Sequence, residues 1–254
     1  MADIAGFHRA TIQKRTDWTE QLFSLRVIGA PLQFKAGQFT KLALPDAEGN
    51  VVARAYSLVN APLTSSDTLE FLIVADPNGQ LSPRLQQLKE GEVIYVAQSA
   101  HGDLIFETIP KQTKNLWLLS TGTGIGPFLS LLDDISLRPT SDKIVLVHGV
   151  RHERDLVYRY LIEQLQQQYQ GRLVYQPIVS REEVSGALHG RINDLIEQGV
   201  LSEACDCEFS AHNSFVMLCG NPAMIKDTTT QLLNMGLTKH RKAEPGNIVF
   251  ERYW

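Results

Sequence analysis

The chain has 254 residues, 43% of them apolar and 20% charged, with a formal net charge of −4. That length holds one large domain or two ordinary ones, and the lack of a basic excess argues against a nucleic-acid binder. No apolar run reaches a membrane span, residues 1–10 lack a signal-peptide core, and three cysteines make no disulfide framework. A reduced, cytoplasmic protein is therefore expected, with no membrane and no nucleic-acid partner; a monomer needs no extra assumption.

The first hundred residues read as strands. Runs rich in β-branched and aromatic residues fall at 7–18, 20–29, 38–45, 51–60, 68–75 and 92–98, with Gly, Pro, Asn and Asp between them. Short, evenly punctuated strands of this kind predict an antiparallel barrel or sandwich, and ahead of the α/β pattern that follows, a six-stranded antiparallel β-barrel is expected. One helix interrupts them. Ser82 is placed as its N-cap and Pro83 as its first residue, with Leu85 and Leu88 as an apolar stripe.

After residue 110 the pattern changes. Strands predicted at 116–120, 144–148, 173–179 and 215–219 alternate with helices at 126–135, 153–168, 191–198 and 222–235. This alternation predicts a doubly wound parallel α/β sheet with helices on both faces. Residues 106–114, with Pro110, read as the linker. The expected division is 1–108 for the barrel and 109–254 for the α/β domain, whose tail returns to the barrel.

The most informative stretch is 116–127, LWLLSTGTGIGP. Four apolar residues form a buried-strand pattern. Thr121, Gly122, Thr123, Gly124 and Gly126 make a turn, and Pro127 opens a helix, where its missing donor costs nothing. Strand, glycine turn and helix aim backbone N–H groups and a helix's positive end at a phosphate. Glycine allows close approach because no Cβ intervenes. The spacing is not G-x-G-x-x-G, so an ordinary dinucleotide-binding dehydrogenase is not implied.

Arg54-Ala55-Tyr56-Ser57 at the end of a barrel strand, T-G-T-G-I-G-P at the first strand–helix turn, Cys219-Gly220-Asn221-Pro222 after a later strand and the terminal Glu251-Arg252-Tyr253-Trp254 occur in this order across the chain. Together they resemble the ferredoxin–NADP⁺ reductase family, and its bacterial members in particular. The resemblance implies an FAD-dependent oxidoreductase. NADPH would pass hydride to flavin N5, and electrons would leave singly to ferredoxin or flavodoxin. It assigns FAD to Arg54, Ala55, Tyr56, Ser57, Leu72, Ile73, Val74, Gln80, Leu81, Ser82, Thr121, Tyr253 and Trp254. It assigns NADP to Thr121, Gly122, Thr123, Gly124, Val150, Arg151, Ser180, Arg181, Arg191, Cys219, Gly220 and Asn221. Ser57, Cys219, Glu251 and Tyr253 are its catalytic set, and no metal is implied.

The residue chemistry agrees. Arg54 offers a planar, permanently charged fork for a diphosphate, and Tyr56 a ring face for a flat cofactor. An NAD site usually carries an acid near the end of the second strand. Here residues 147–151 read VHGVR, with no acid before Glu153. Arg151, Arg181 and Arg191 at strand or helix ends suit a 2′-phosphate instead.

Other signals carry less. Cys205-Asp206-Cys207 is half a metal site in a polar stretch, 202–210, that reads as surface. His148 and His152 do not form H-E-x-x-H. The basic run Lys239, His240, Arg241 and Lys242, placed near the flavin end, is a solvated loop or a contact for an acidic carrier. A fused plant-type cluster needs four cysteines, so the carrier is expected to be a separate protein. The same fold would also serve an NADPH-dependent flavin or quinone reductase, an oxygenase reductase component, or a non-catalytic FAD/NADPH sensor.

Overall fold

The computed structural model describes residues 4–62 and 68–252. Six antiparallel strands come first: β1 (Phe7–Asp17), β2 (Leu22–Ile28), β3 (Phe39–Pro45), β4 (Val51–Ser57), β5 (Leu69–Val74) and β6 (Val93–Ala97), in the order β4-β3-β6-β1-β2-β5. The sheet curls so that its ends meet at Leu58–Phe71, reinforced by Val59 N–H donating to the Glu70 carbonyl. The meeting is confined to the end of β4. Beyond it, Arg54–Tyr56 and Leu72–Val74 line a seam. The barrel is filled by Ile12, Leu25, Phe71 and Ile94, among others.

Helix α1 (Ser82–Gln87) lies between β5 and β6. Its N-cap is Leu81, not Ser82, and Pro83 takes the second helical position. Buried Leu81 anchors the turn in the barrel core, and the Ser82 hydroxyl accepts the Asp76 N–H instead of capping the helix. The expected linker is not a free tether. Phe106 opens a short 3₁₀ turn that ends at Ile109, and both pack into the core shared by both domains.

The second half contains β7 (Asn115–Thr121), β8 (Lys143–Val150), β9 (Leu173–Val179), β10 (Leu188–His189), β11 (Ser214–Gly220) and β12 (Ile248–Arg252), all parallel, in the order β10-β9-β8-β7-β11-β12. Side chains alternate between its faces, as strand geometry requires. Leu116, Leu118, Met217 and Cys219 face α2 (Gly126–Asp133), α3 (Arg159–Gln168) and the barrel's Leu22, Val59, Leu72 and Leu104. Trp117, Leu119, Val216 and Leu218 face α4 (Ile192–Glu197), α5 (Val200–Cys205) and α6 (Pro222–Asn234). Each fully buried Leu or Val contributes roughly 1.5–3 kcal/mol. One apolar core therefore continues from the sheet into the barrel and sets how the domains meet.

Three expectations in this half are corrected. The helix placed at 153–168 is a 3₁₀ turn, Glu153–Asp155, followed by α3, because Tyr158 adopts φ 60° and breaks the run. The stretch 202–210 is not surface. It contains the end of α5, and Cys205, Cys207 and Phe209 are buried, with Phe209 stacked on Trp117 at 4.0 Å. Its polar residues alternate with apolar ones and hide an inward face. The basic run at 239–242 forms a hairpin closed by Arg241 and Glu244. Lys239 bridges to Ile248, the start of β12, so the run sits at the opposite end of that strand from Glu251 and Arg252.

Candidate active site

A doubly wound sheet opens a crevice at the carboxyl ends of its strands where the winding reverses. Here that point lies between β7 and β11, and Thr121 and Gly220 are its rims. Thr121 Oγ1 accepts the Asn221 N–H at 2.8 Å, and Asn221 Oδ1 caps α6 by accepting the N–H groups of Ala223 and Met224. Between the rims runs the glycine turn. Its three glycines do different things. Gly122 has φ 53° with open space beside it. Gly124 is pressed against β11, where a Cβ would stand 2.5 Å from the Cys219 carbonyl oxygen. Gly126 abuts the barrel, 3.9 Å from Ser57 Cβ and 3.4 Å from Val59 by the same test. Close packing, rather than phosphate approach, thus explains Gly124, whereas a Cβ at Gly126 would meet only ordinary contacts. Gly220, at φ 130°, likewise leaves no room for a side chain beside Thr121. Thr123 is buried within the turn.

The barrel brings its own rim. Ser57 ends β4, is nearly buried, and its Oγ has no protein partner. Tyr56 is half-buried against the barrel core, and burial pushes its phenol up to about 12 against the pull of the Arg54 charge. Arg54 is exposed, and its guanidinium donates to Gln80 Oε1 at 2.6 Å and to the Ala53 carbonyl. Ala55 and Val74 are exposed along the seam. The side chains of Leu72, Ile73 and Leu81 point into apolar cores. Only their backbone is left to meet a ligand.

Glu251 joins the two halves. Parallel pairing of β11 and β12 sets it opposite Cys219, on the same face of the sheet. Its Oε1 accepts the Asp103 N–H at 2.9 Å, and the Leu104 N–H also bonds the carboxylate. Oε2 is buried without a protein partner. Burial pushes this carboxyl up to about 7 although both backbone donors pull it down. Gly102 has φ 121°, a conformation that strains any residue with a side chain, and a Cβ there would press on the Glu251 carboxylate. Gly102 also borders Phe39, which pairs with Ser57 across β3 and β4. Ser57, Cys219 and Glu251 thus converge on one junction.

The predicted phosphate side lies at the ends of β8, β9 and β10. Val150 is buried in a small cluster. Its carbonyl accepts from Ser180 N and Oγ, and the Arg151 carbonyl accepts the Arg181 N–H at 3.1 Å. Arg191 is the N-cap of α4. Arg151, Arg181 and Arg191 are exposed, and among the described residues none of the three is paired with a carboxylate. Tyr253 and Trp254 lie outside the described residues.

Sequence reasoning missed two contributors. His148 is fully buried in β8, and its Nε2 lies 3.1 Å from the Gly122 carbonyl oxygen. Burial pushes it down to about 4, so it is neutral. A carbonyl only accepts, so the proton sits on Nε2 and the ring braces the glycine turn. The second is the backbone of Asp103 and Leu104. A histidine inside an otherwise apolar strand was a legible signal for the first; nothing local marked the second. Among the described residues no cluster of His, Cys, Asp or Glu could hold a metal, and no helix is long and apolar enough to cross a membrane.

Known proteins match this arrangement along its whole length. The family model of the oxidoreductase FAD-binding domain matches residues 12–104, and that of the oxidoreductase NAD-binding domain matches 118–230. A flavodoxin/ferredoxin–NADP reductase of Escherichia coli (strain K12) is 44% identical over 252 residues, 99% of this chain and 100% of the relative. A ferredoxin–NADP reductase of Pseudomonas aeruginosa is 36% identical over 245 residues, 92% of this chain and 93% of the relative. Among solved structures, a ferredoxin NADP+ reductase from Neisseria gonorrhoeae with bound FAD and NADP superposes with a TM-score of 0.90 at 31% identity, covering 99% of this chain and 100% of that one. The chain belongs to the bacterial flavodoxin/ferredoxin–NADP reductase family.

Proposed function

We propose that this chain transfers electrons between NADPH and a one-electron carrier protein, ferredoxin or flavodoxin, with FAD in the barrel seam. Residues 1–108 form the FAD unit and 109–254 the NADP unit. The observation that carries the reading is the convergence of Ser57, Cys219 and Glu251 where the barrel meets the crevice of the parallel sheet.

The residues present fit both ligands. Ser57 Oγ, buried without a protein partner, offers its hydrogen bond to a group in the seam. Arg54, aimed by Gln80, supplies charge for a diphosphate, with the backbone of Leu81 and Ser82 nearby in sequence, and Tyr56 supplies a ring face. Leu72, Ile73 and Val74 offer strand-edge backbone. Thr121, Gly122, Thr123 and Gly124 present the turn, and Gly220 and Asn221 the opposite rim. Val150, Arg151, Ser180, Arg181 and Arg191 serve the adenosine end, where three cations without a carboxylate partner among the described residues favour a 2′-phosphate and hence NADPH. Tyr253 and Trp254 complete the FAD site as stacking surfaces.

The chemistry FAD supplies when bound is conversion of a two-electron donor into two single-electron deliveries. The protein's share is orientation and proton handling. Cys219 forms a wall of the junction, and its backbone is held by Gly124. Glu251, with a pKa of about 7, holds or releases a proton at Oε2 near neutral pH. The partner is an acidic carrier, and the protein acts as a cytoplasmic monomer.

Anaerobic titration with NADPH and, separately, NADH tests the reading through the visible flavin bands. Fast bleaching by NADPH and slow bleaching by NADH are expected. Purified protein that cannot be loaded with FAD, or that neither nucleotide bleaches, overturns it.

A further inference from the structure

Tyr158 sits where an aromatic residue is out of place. Its φ of 60° is in the left-handed region, which bulky residues rarely occupy, and such conformations persist only where the surroundings impose them. The surroundings here belong to the other domain. The phenol O–H donates to Glu70 Oε1 of β5 at 2.7 Å, and its ring lies 4.9 Å from that of Trp18. Trp18 Nε1–H donates to Ser24 Oγ at 3.1 Å, and Ser24 hydrogen-bonds the phenol. The second oxygen of Glu70 accepts from Arg26 at 2.8 Å.

Glu70 also acts through its backbone. Its N–H donates to Asn60 Oδ1 at 2.8 Å, and its carbonyl accepts the Val59 N–H at 2.8 Å. Asn60 in turn receives the hydroxyl of Ser130, on α2, at its carbonyl at 2.7 Å. Both nucleotide-domain helices on this face are thus tied to the segment in which the barrel closes. That segment begins at Ser57.

We propose that Glu70 is a positioning residue which, through Tyr158 and through Asn60 and Ser130, holds the nucleotide domain at the spacing that electron transfer across the Ser57–Cys219 junction needs. It touches neither ligand. The proposal rests on the reading that donor and acceptor meet at that junction. Misplacement of reacting groups by about 1 Å reduces rates about 100-fold, so a latch this close to Ser57 acts on rate more than on affinity.

The test uses FAD-loaded protein carrying Tyr158→Phe, which keeps the ring and removes one hydrogen bond, and Glu70→Ala, which removes the acceptor of that bond. Flavin reduction at saturating NADPH should fall about tenfold, with NADP⁺ affinity within about twofold of the parent. Carbamidomethylation of Cys219 by iodoacetamide should accelerate. Cys205 and Cys207, buried on the far face of the same sheet, serve as controls and should not change. The double variant should be no worse than the poorer single one, since both remove the same link. Unchanged reduction and unchanged Cys219 protection overturn the proposal. So does equal acceleration at all three cysteines, which would mean general loosening of the fold. If the parent is not reduced by NADPH, the functional reading fails, while the cysteine comparison still reports on the latch.

Discussion

The barrel and the parallel sheet build the two sides of one junction by different means. The barrel side owes its charged and aromatic groups to side chains, with Arg54, Tyr56 and Ser57 at a strand end where its pairing with β5 has run out. The sheet side is made mostly of backbone: a glycine turn, the ends of β8 and β9, and the cap of α6, pressed together until no Cβ fits at Gly124 or Gly220. A site made of side chains is broken by truncation. A site made of backbone is broken by adding atoms.

The sharpest test of that contrast is Gly124→Ala. The added methyl meets a strand backbone that cannot yield, so destabilisation of about 3 kcal/mol is expected, with NADPH-driven reduction lost and FAD content retained. Thermal denaturation and absorbance check both halves of this statement, and loss of FAD along with reduction would end the contrast.

Glu251→Gln comes next. The folded carboxyl has a pKa of about 7, above its ordinary 4.5, so the folded state retains the proton in that window. Wild-type stability should therefore be fully present below the ordinary value and fall as pH rises through the window, by roughly 3 kcal/mol in all, whereas the variant should lack that decline. Denaturant melts at several pH values between those limits measure it; parallel curves would refute the buried assignment.

Arg54→Ala should weaken FAD binding by about 10–100-fold and leave nucleotide-domain packing intact, as expected for one lost charged hydrogen-bonding group. The matching change on the sheet side is Arg181→Ala with Arg191→Ala, which should weaken NADPH about 10–100-fold and NADH little. Equal losses for the two nucleotides would remove the 2′-phosphate assignment. Gly122→Ala should be the mildest. Its neighbourhood is open, so only the positive φ counts, about 1 kcal/mol. If it proved as damaging as Gly124→Ala, the division of labour among the glycines would be wrong.

The two domains were legible because each strand or helix carries a local signature. The barrel strands alternate and are punctuated by turn residues. The sheet strands are nearly continuous apolar runs because both their faces are buried. What was misread had mixed local signals. Residues 202–210 look polar, yet Cys205, Cys207 and Phe209 all turn inward. Tyr158 sits within a helical pattern that it interrupts, because a hydrogen bond to a residue 88 positions away outweighs its local preference. In the candidate site, Arg54, Ser57, the glycine turn and Cys219 were marked by motif, while His148 was set aside with a metal pattern it does not belong to.

The sequence by itself determined the order of the main strands and helices, the change from an antiparallel to a parallel sheet near residue 110, and the family, because all of these depend on residue types at short spacing. Only the tertiary structure decided that Gly124 serves packing, that Glu251 stands beside Cys219 with a raised pKa, and that Glu70 grips Tyr158. Those facts arise from contacts between residues far apart in the chain, and burial and hydrogen bonding at such contacts have no local pattern to announce them.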